Sequence, residues 1–492
     1  MIDKYYNGVI EQVVSGIGNV EHNSILVRYS NDFSIWDLES VNHYKDQSDI
    51  FFTCHEFSYN KIAEAYEPYL GLIRQMFHRY CSGTLEEFME ECDVYKLQRP
   101  VFESYFENGF CERTEQILID EREYEQERMR NSIVTMLQKL SEIRPVVIVL
   151  NRFQLASKST MQLTNRLLQT KNKNIGIVLG VNDVQSIPEF AHEEWDAICE
   201  SMDDRNMVYH IGNAGRNMEP DVMDYYSDYE SDDGYRKLNN LVYFLDFDQA
   251  DHHLSKIERR IKFDNFTISE KKHYQLLLLQ IMVSVLQRDI AKALESCEDL
   301  EKLQDQEKEG AFYYNFWMAT SYMYLGKLEE AMIYVQKAKE CGEALGDDFL
   351  VFRAELLKAQ NQMSGWCNIF FCAQDIEISD KLIEKLNAYH YKNHLAHIYI
   401  YAYDNKPEIV AKAYRSEAFL IYFSKGVALA KEIGNEQLIS IAYRKNIMIA
   451  STNGEYEVSL LYSIRTYEAM KDVDSVEGGR IYSGIAYSLC AM

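Results

Sequence analysis

The sequence predicts an α/β three-layer domain at the N-terminus, followed by an all-α helical solenoid. Three observations carry that expectation. Short β-branched apolar runs alternate with helical stretches as far as residue 215. From Leu238 onward the spacing is helical, internally repetitive and without a convincing strand. Gly and Pro, which mark turns and strand ends, number only 22 and 6 in 492 residues.

The strands come in order. Ser24 to Tyr29 (SILVRY) reads as the first, followed by a helix through Ile35, Leu38 and Val41. Asp49 to Cys54 reads as the second. The chain then turns helical between Ala63 and Leu140, with Ile133, Met136, Leu137 and Leu140 on one face at i, i+3, i+4, i+7 spacing. Pro145 stops that helix, and Val146 to Leu150 (VVIVL) follows as a strand apolar on both faces. A helix over 158–170, a strand over Ile175 to Val181, a helix over 188–200 and a strand over Met207 to Ile211 complete the domain. Strands apolar on both faces and separated by helices imply a doubly wound, mainly parallel sheet.

Residues 216–237 are expected to form an acidic linker or loop, since Glu219 to Asp233 carries acids and no base. Its Asp228-x-Glu230-x-Asp232-Asp233-Gly234 run departs from a calcium loop. The glycine is one place late, and Asn239 stands where a bidentate acid belongs. Residues 238–492 form the repeat region. Its clearest unit, Phe312 to Lys339, carries Ala319 and Tyr322 on a first helix, Gly326 at the turn, and Ala331, Val335 and Ala338 on a second. Small residues let two antiparallel helices approach closely, a spacing that resembles the tetratricopeptide repeat. Further turns are expected near Arg288-Asp289, Gly365, Asn405 and Gly454. The last repeat has a first helix and no second, which leads to the expectation that the chain is a piece of a longer protein.

Composition excludes several functions. With 51 Lys plus Arg against 77 Asp plus Glu, the net charge is -26, which repels phosphate backbones and anionic lipid. No direct nucleic-acid or membrane partner is expected. The ten cysteines contain no CxxC pair, the usage of reduced thiols in a cytoplasmic protein. No stretch reads as a signal peptide or a membrane span.

No catalytic constellation emerges, and neither a cofactor nor a metal is expected. His390, His394 and His397 could line one helix face as metal ligands, but Tyr391 to Asn393 reads as a turn that breaks it. Cys367 and Cys372 read as buried thiols. Glu112 to Glu127, interleaved with Arg113 and Arg122, reads as a solvated helix face. Tyr313, Tyr314, Tyr399, Tyr401 and Tyr403 are the candidate aromatic contacts for a protein or peptide in the repeat groove. Small-ligand sensing in that groove is a further option.

Two stretches resemble a known family. Ala65 to Arg74 (AYEPYLGLIR) and Val146 to Ala156 (VVIVLNRFQLA) are similar to segments of the STAND signal-transduction ATPases related to maltose-regulon activators. The second stretch resembles their Walker B strand. Those proteins also join a P-loop-like domain to long tetratricopeptide-like repeats. The resemblance implies a regulatory module whose output, a DNA-binding helix-turn-helix or a diguanylate cyclase, follows the array. The departures imply a pseudo-ATPase. Ser30 to Leu38 has neither the glycines nor the lysine of GxxxxGK[ST], and Asn151 and Arg152 replace the Walker B acids. The alternative is a genuine nucleotide switch with an unorthodox site. Gly16-Ile17-Gly18-Asn19, the nearest glycine-rich candidate, precedes the first strand, so it cannot sit at a strand-to-helix turn. Homodimerisation would be one way to cover the last repeat.

Overall fold

The computed structural model describes residues 2–19, 23–29, 35–45, 49–58, 61–170, 172–182, 187, 189–203, 208–211, 231–263, 266–364, 380–401, 417–470, 482, 485–486 and 488–492. The chain divides into two compact units. The first holds Met1–Val94, Val101–Glu112 and Arg128–Thr267; the second holds Tyr95–Pro100, Arg113–Glu127 and Ile268–Met492.

In chain order the elements up to the end of the first unit are α1 (Ile2–Gly16), β1 (Ser24–Tyr29), α2 (Glu39–Lys45), β2 (Phe51–Glu56), α3 (Tyr69–Tyr80) and α4 (Leu85–Glu91). Then come α5 (Arg99–Asn108), α6 (Arg122–Ile143), β3 (Val146–Asn151), α7 (Lys158–Gln169), β4 (Ile175–Asn182), α8 (His192–Asp203), β5 (Val208–Ile211), α9 (Asp232–Tyr243) and α10 (Phe247–Phe263). The strands form one parallel sheet in the order β2-β3-β4-β1-β5. Every residue of β3 and β4 is buried, as their unbroken Val/Ile/Leu runs require when both faces are covered. The α6 face made by Ile133, Met136, Leu137 and Leu140 is fully buried, as its spacing predicts. Residues 110–118 are not helical, so the continuous acidic helix expected over 112–127 is replaced by an irregular segment, a short 3-10 turn at Ile119–Glu121 and the start of α6.

The second unit is an array of helices paired in sequence: α11 (Glu270–Leu286), α12 (Ile290–Glu301), α13 (Gly310–Tyr324), α14 (Leu328–Leu345), α15 (Asp348–Ser364) and α16 (Asp380–Ala388). Its later helices are α17 (Lys392–Tyr401), α18 (Glu417–Ile433), α19 (Glu436–Thr452) and α20 (Tyr456–Met470). Between α13 and α14, Ala319, Ala331, Val335 and Ala338 are all in the core, as the repeat pattern predicts. Tyr322 stacks on Tyr334 with ring centroids 5.5 Å apart, so it packs within its own hairpin. The expected turns are found at Arg288, Gly326 and Gly454, each with positive φ. Those expected near Gly365 and Asn405 lie outside the described residues.

The division between the units falls elsewhere than the sequence suggests. Helices α9 and α10 belong with the sheet, not with the repeats. The reason is a set of buried polar ties. Asp246 accepts from Ser159 N at 2.9 Å, at the N-terminus of α7, and from Gln249 N in the first turn of α10. Asn240 accepts from Cys111 N and donates to Gly109 O, while Asn239 donates to Cys111 O. Asp232 and Asp233 lie in the first turn of α9, where Asp233 pairs with Arg236 and Lys237 in place of any calcium geometry.

Asp246 is therefore a double helix cap. Burial raises its carboxyl above the ordinary value, and the Ser159 and Gln249 contacts oppose that rise. Replacing Asp246 by Ala should cost about 2–3 kcal/mol, the scale of a buried charge-assisted cap, and Asn, which can accept at only one of the two oxygen positions, should recover only part of that loss. Urea unfolding of the two variants checks this.

Candidate functional site

The carboxyl ends of β1, β3 and β4 are the first place to look for chemistry. The strand order reverses at β1, because the chain crosses from β1 to β2, steps back through β3 and β4, and passes over β1 to β5. Open α/β sheets bind ligands in the crevice outside such a reversal. Here Tyr29 ends β1, and its hydroxyl donates to Asn151 Oδ1 at the end of β3, at 2.8 Å. The Tyr6 hydroxyl and the same Asn151 oxygen crowd Gly180 of β4 so closely that a Cβ there would collide with both. Tyr6 is fully buried, and burial raises its phenol far above the ordinary value, with Tyr29 adding to the rise. Both tyrosines and Asn151 are at most 1% exposed.

Arg152, with φ 53°, turns away into a pair with Glu56 at the end of β2, N to O 3.6 Å. Glu56 also accepts from Ile35 N at 3.4 Å. Of the counterpart of the phosphate loop, Ser30 to Leu38, residues 30–34 lie outside the described residues and Ile35–Asp37 form a 3-10 turn. Among the described residues, the end of β3 lacks the carboxylate that a magnesium nucleotide needs there. Mg²⁺ needs oxygen ligands with carboxylate among them, and the β3 end offers a neutral amide already bound to a tyrosine. The amide Nδ2 of Asn151 is buried with no hydrogen-bond partner among the described residues, and the carboxylate registered opposite it, Glu56, is paired with Arg152. Tyr6 and Tyr29 escape sequence reasoning because both satisfy the ordinary pattern of a buried apolar position.

The second site lies wholly within the second unit, where residues 113–124 meet the turns of the array. Helix α17 is preceded by Tyr391, which has no side chain able to cap it. Glu115 caps it from afar: one carboxylate oxygen accepts from His394 N and from His394 Nδ1, both at 2.6 Å, and the other accepts from Asn393 N at 3.2 Å. These are the N2 and N3 amides that a local cap would satisfy, at the positive end of the helix dipole. Glu121 goes deeper. It accepts from Asn393 Nδ2 at 2.6 Å, from His397 Nε2 at 2.8 Å and from Asn435 Nδ2 at 2.9 Å, with no solvent exposure.

Asn435 in turn caps α19, accepting from Leu438 N at 2.8 Å. It follows Gly434, whose φ of 76° lets the α18 to α19 turn close tightly. The Tyr124 hydroxyl reaches the carbonyl of Gly434 and the amide and carboxylate of Glu436 in the same turn. At the opposite pole of a helix, Arg122 donates to Leu286 O at the C-terminus of α11, 3.0 Å. Behind this row, Arg113 and Glu125 form a fully buried bidentate pair at 2.5 and 2.9 Å, and Gln98 donates to the same carboxylate.

Burial alone would raise the Glu121 carboxyl. His397 and the two asparagine amides outweigh it, so the pKa lies below the ordinary carboxylate value. The reading of 112–127 as a solvated face is thus overturned: Glu115, Glu121 and Glu125 are buried, each answered by donors. The signal for this was the Ile117-Leu118-Ile119 run, which no solvated acidic helix would carry in its middle.

The turn lies earlier than the sequence suggests, at 389–391, and Lys392 and Asn393 already belong to α17. His390, with φ 62°, lies in the turn, while His394 and His397 sit on α17 facing glutamates. Of the candidate tyrosines, Tyr313 and Tyr314 are half-buried against the array core. Tyr314 meets Tyr334 edge-on, and Arg353 lies over Tyr313. Tyr399 is half-buried, with Lys425 over its ring at 5.8 Å. The side chain of Tyr401 and all of Tyr403 lie outside the described residues, as do Cys367 and Cys372. No helix among the described residues is long and apolar enough to cross a membrane.

No family model and no curated protein sequence matches the chain. A solved structure similar to it is that of a Signal Transduction ATPase with Numerous Domains (STAND) protein with a tetratricopeptide repeat sensor, from Pyrococcus horikoshii. The two are 12% identical with a TM-score of 0.43, over 97% of this chain and 85% of that one. The fold described above stands on this chain's own strand pairings and helix hairpins.

Because Glu121 has a depressed folded pKa, its contribution to stability is complete above the ordinary carboxylate range. It is lost as pH falls through the folded value. Glu121→Ala should cost about 3 kcal/mol at neutral pH, leaving buried donors unanswered. The gap from wild type should stay constant down to about pH 4.5 and shrink below it. Urea midpoints measured over that range check both sign and window.

Proposed function

We propose that this chain is a non-catalytic regulatory module, in which a degenerate nucleotide-binding platform is joined to a tetratricopeptide-like array that binds a protein or peptide. The observation that carries the reading is the end of β3. A Walker B position must present a carboxylate to Mg²⁺, and here Asn151 is locked to Tyr29 beside a buried Tyr6. Arg152, the second replaced position, spends its charge on Glu56. The resemblance of Val146 to Ala156 to the STAND Walker B strand supports a signalling role, with control of an output domain as the implied consequence.

The array contributes surface without an evident reaction centre. Some of its ionisable groups are engaged in pairs, such as Lys385–Glu355 and Lys339–Glu355. Protein or peptide recognition is what such hairpin arrays offer, because their stacked helices present extended side-chain surfaces.

Isothermal titration with MgATP at millimolar concentration should show no binding, and micromolar binding would sink the pseudo-ATPase reading. Asn151→Asp should not restore binding. It should instead destabilise the chain by about 1–3 kcal/mol, since it buries a carboxylate beside tyrosines with no cation to answer it.

A further inference from the structure

Residues 113–121 behave as a bound peptide. They lack helix or strand structure up to Leu118, and among them only Ile119 is a buried apolar side chain, with Ile117 and Leu118 half-buried. Their hold on the array comes from carboxylates. Glu115 takes two main-chain amides and an imidazole at the start of α17, and Glu121 takes two amide side chains and a second imidazole. Buried ionic contacts of this kind are costly to desolvate and give little net stability, while they discriminate sharply among ligands. A segment needed only as packing would be held by apolar burial instead.

The array side of the contact is a receptor for carboxylates. It presents the N-terminus of α17, His394, His397, Asn393 and Asn435, and every one of these can donate. The titratable and charged neighbours on facing elements are Lys392, Glu432 and Lys96 at the rim, and Tyr124 with Glu436 at the α18 to α19 turn. Both lysines converge on Glu432, which leaves the carboxylates at 115 and 121 as the groups that fill the donor set.

We infer that residues 113–124 are an internal ligand occupying a carboxylate-recognition surface of the array, and that the partner of this surface is an acidic peptide segment of a protein. Such a segment would offer two carboxylates spaced like Glu115 and Glu121, with an aromatic hydroxyl at the place of Tyr124. This rests on the array's role as a peptide binder and names the class of peptide.

A ligand tethered in cis competes at an effective concentration in the millimolar range, so the intact chain should bind such a peptide weakly in trans. The probe is a fluorescein-labelled synthetic peptide spanning residues 112–126, titrated by anisotropy against the full chain and against the full-chain Glu115→Gln/Glu121→Gln variant. The variant, shown folded by circular dichroism, should bind at least about tenfold tighter than wild type. The same peptide with Gln at both positions should bind neither. Equal affinity for chain and variant, or equal binding of the Gln peptide, overturns the inference; the latter leaves peptide binding by the array standing.

Hydrogen exchange on the wild-type chain decides the matter even if the variant does not fold. Excess acidic peptide should speed exchange of amides 113–121, and unchanged exchange counts against displacement. None of these outcomes bears on MgATP titration, so failure here and failure of the pseudo-ATPase reading are separable.

Discussion

The second unit depends on one electrostatic fact: the start of α17 lacks a cap of its own and receives one from a distant segment, which also answers the asparagine that caps α19. Helix α17 begins after a tyrosine, so its first amides would be orphaned without the Glu115 carboxylate. Helix α19 begins at Asn435, which caps it, but the free amide group of that asparagine must still be answered, and Glu121 answers it. Arg122 serves the opposite pole, at the C-terminus of α11. Acids meet helix N-termini and a base meets a C-terminus, the arrangement that helix dipoles favour. The signs of Glu115 and Arg122 are therefore matched to the helix poles they touch.

That constraint also explains the partition of the chain. An array read from sequence alone should be a continuous run of hairpins, and residues 95–100 and 113–127 have no place in it. Without them the buried side-chain amides of Asn393 and Asn435 would lose the carboxylate they donate to. Buried unsatisfied donors cost more than the net worth of the bonds they make, so residues 113–127 pack with the array. The same reasoning, with Asp246, Asn239 and Asn240 as the polar groups, assigns α9 and α10 to the sheet. In both cases the domain edge is drawn by hydrogen-bond satisfaction and not by the hydrophobic period.

This is why some features were legible in the sequence and others were not. The five strands, the buried α6 face and the Ala319/Ala331/Val335/Ala338 layer follow from apolar periodicity, which depends on local spacing alone. Tertiary caps depend on residues hundreds of positions apart, as Glu115 and His394 are, and no local pattern encodes them. The acidic run therefore read as solvated, since Arg and Glu alternate there as they do on exposed helices. Its central Ile117-Leu118-Ile119 was the one local contradiction. Likewise, the end of β3 at Asn151 was readable from the apolar run before it, whereas the tyrosines that fill the space around it were not.

The two sites make contrasting use of buried polar groups, and the contrast bears on what each can do. At the end of β3, Tyr29 and Asn151 satisfy one another within a packed interior, and Gly180 leaves no room for a further atom. Substitutions in so tightly packed a place act through stability. Around Glu121 the buried groups come from segments far apart in sequence, and the hold is made of charge-assisted bonds to donors that would accept another carboxylate equally well. Little apolar area accompanies residues 113–121, so releasing them would forfeit polar contacts that a replacement acid restores one for one. A contact that can be remade by a competitor without loss is the physical requirement for a regulated surface. Within the second unit that property belongs to the row of capped helix ends.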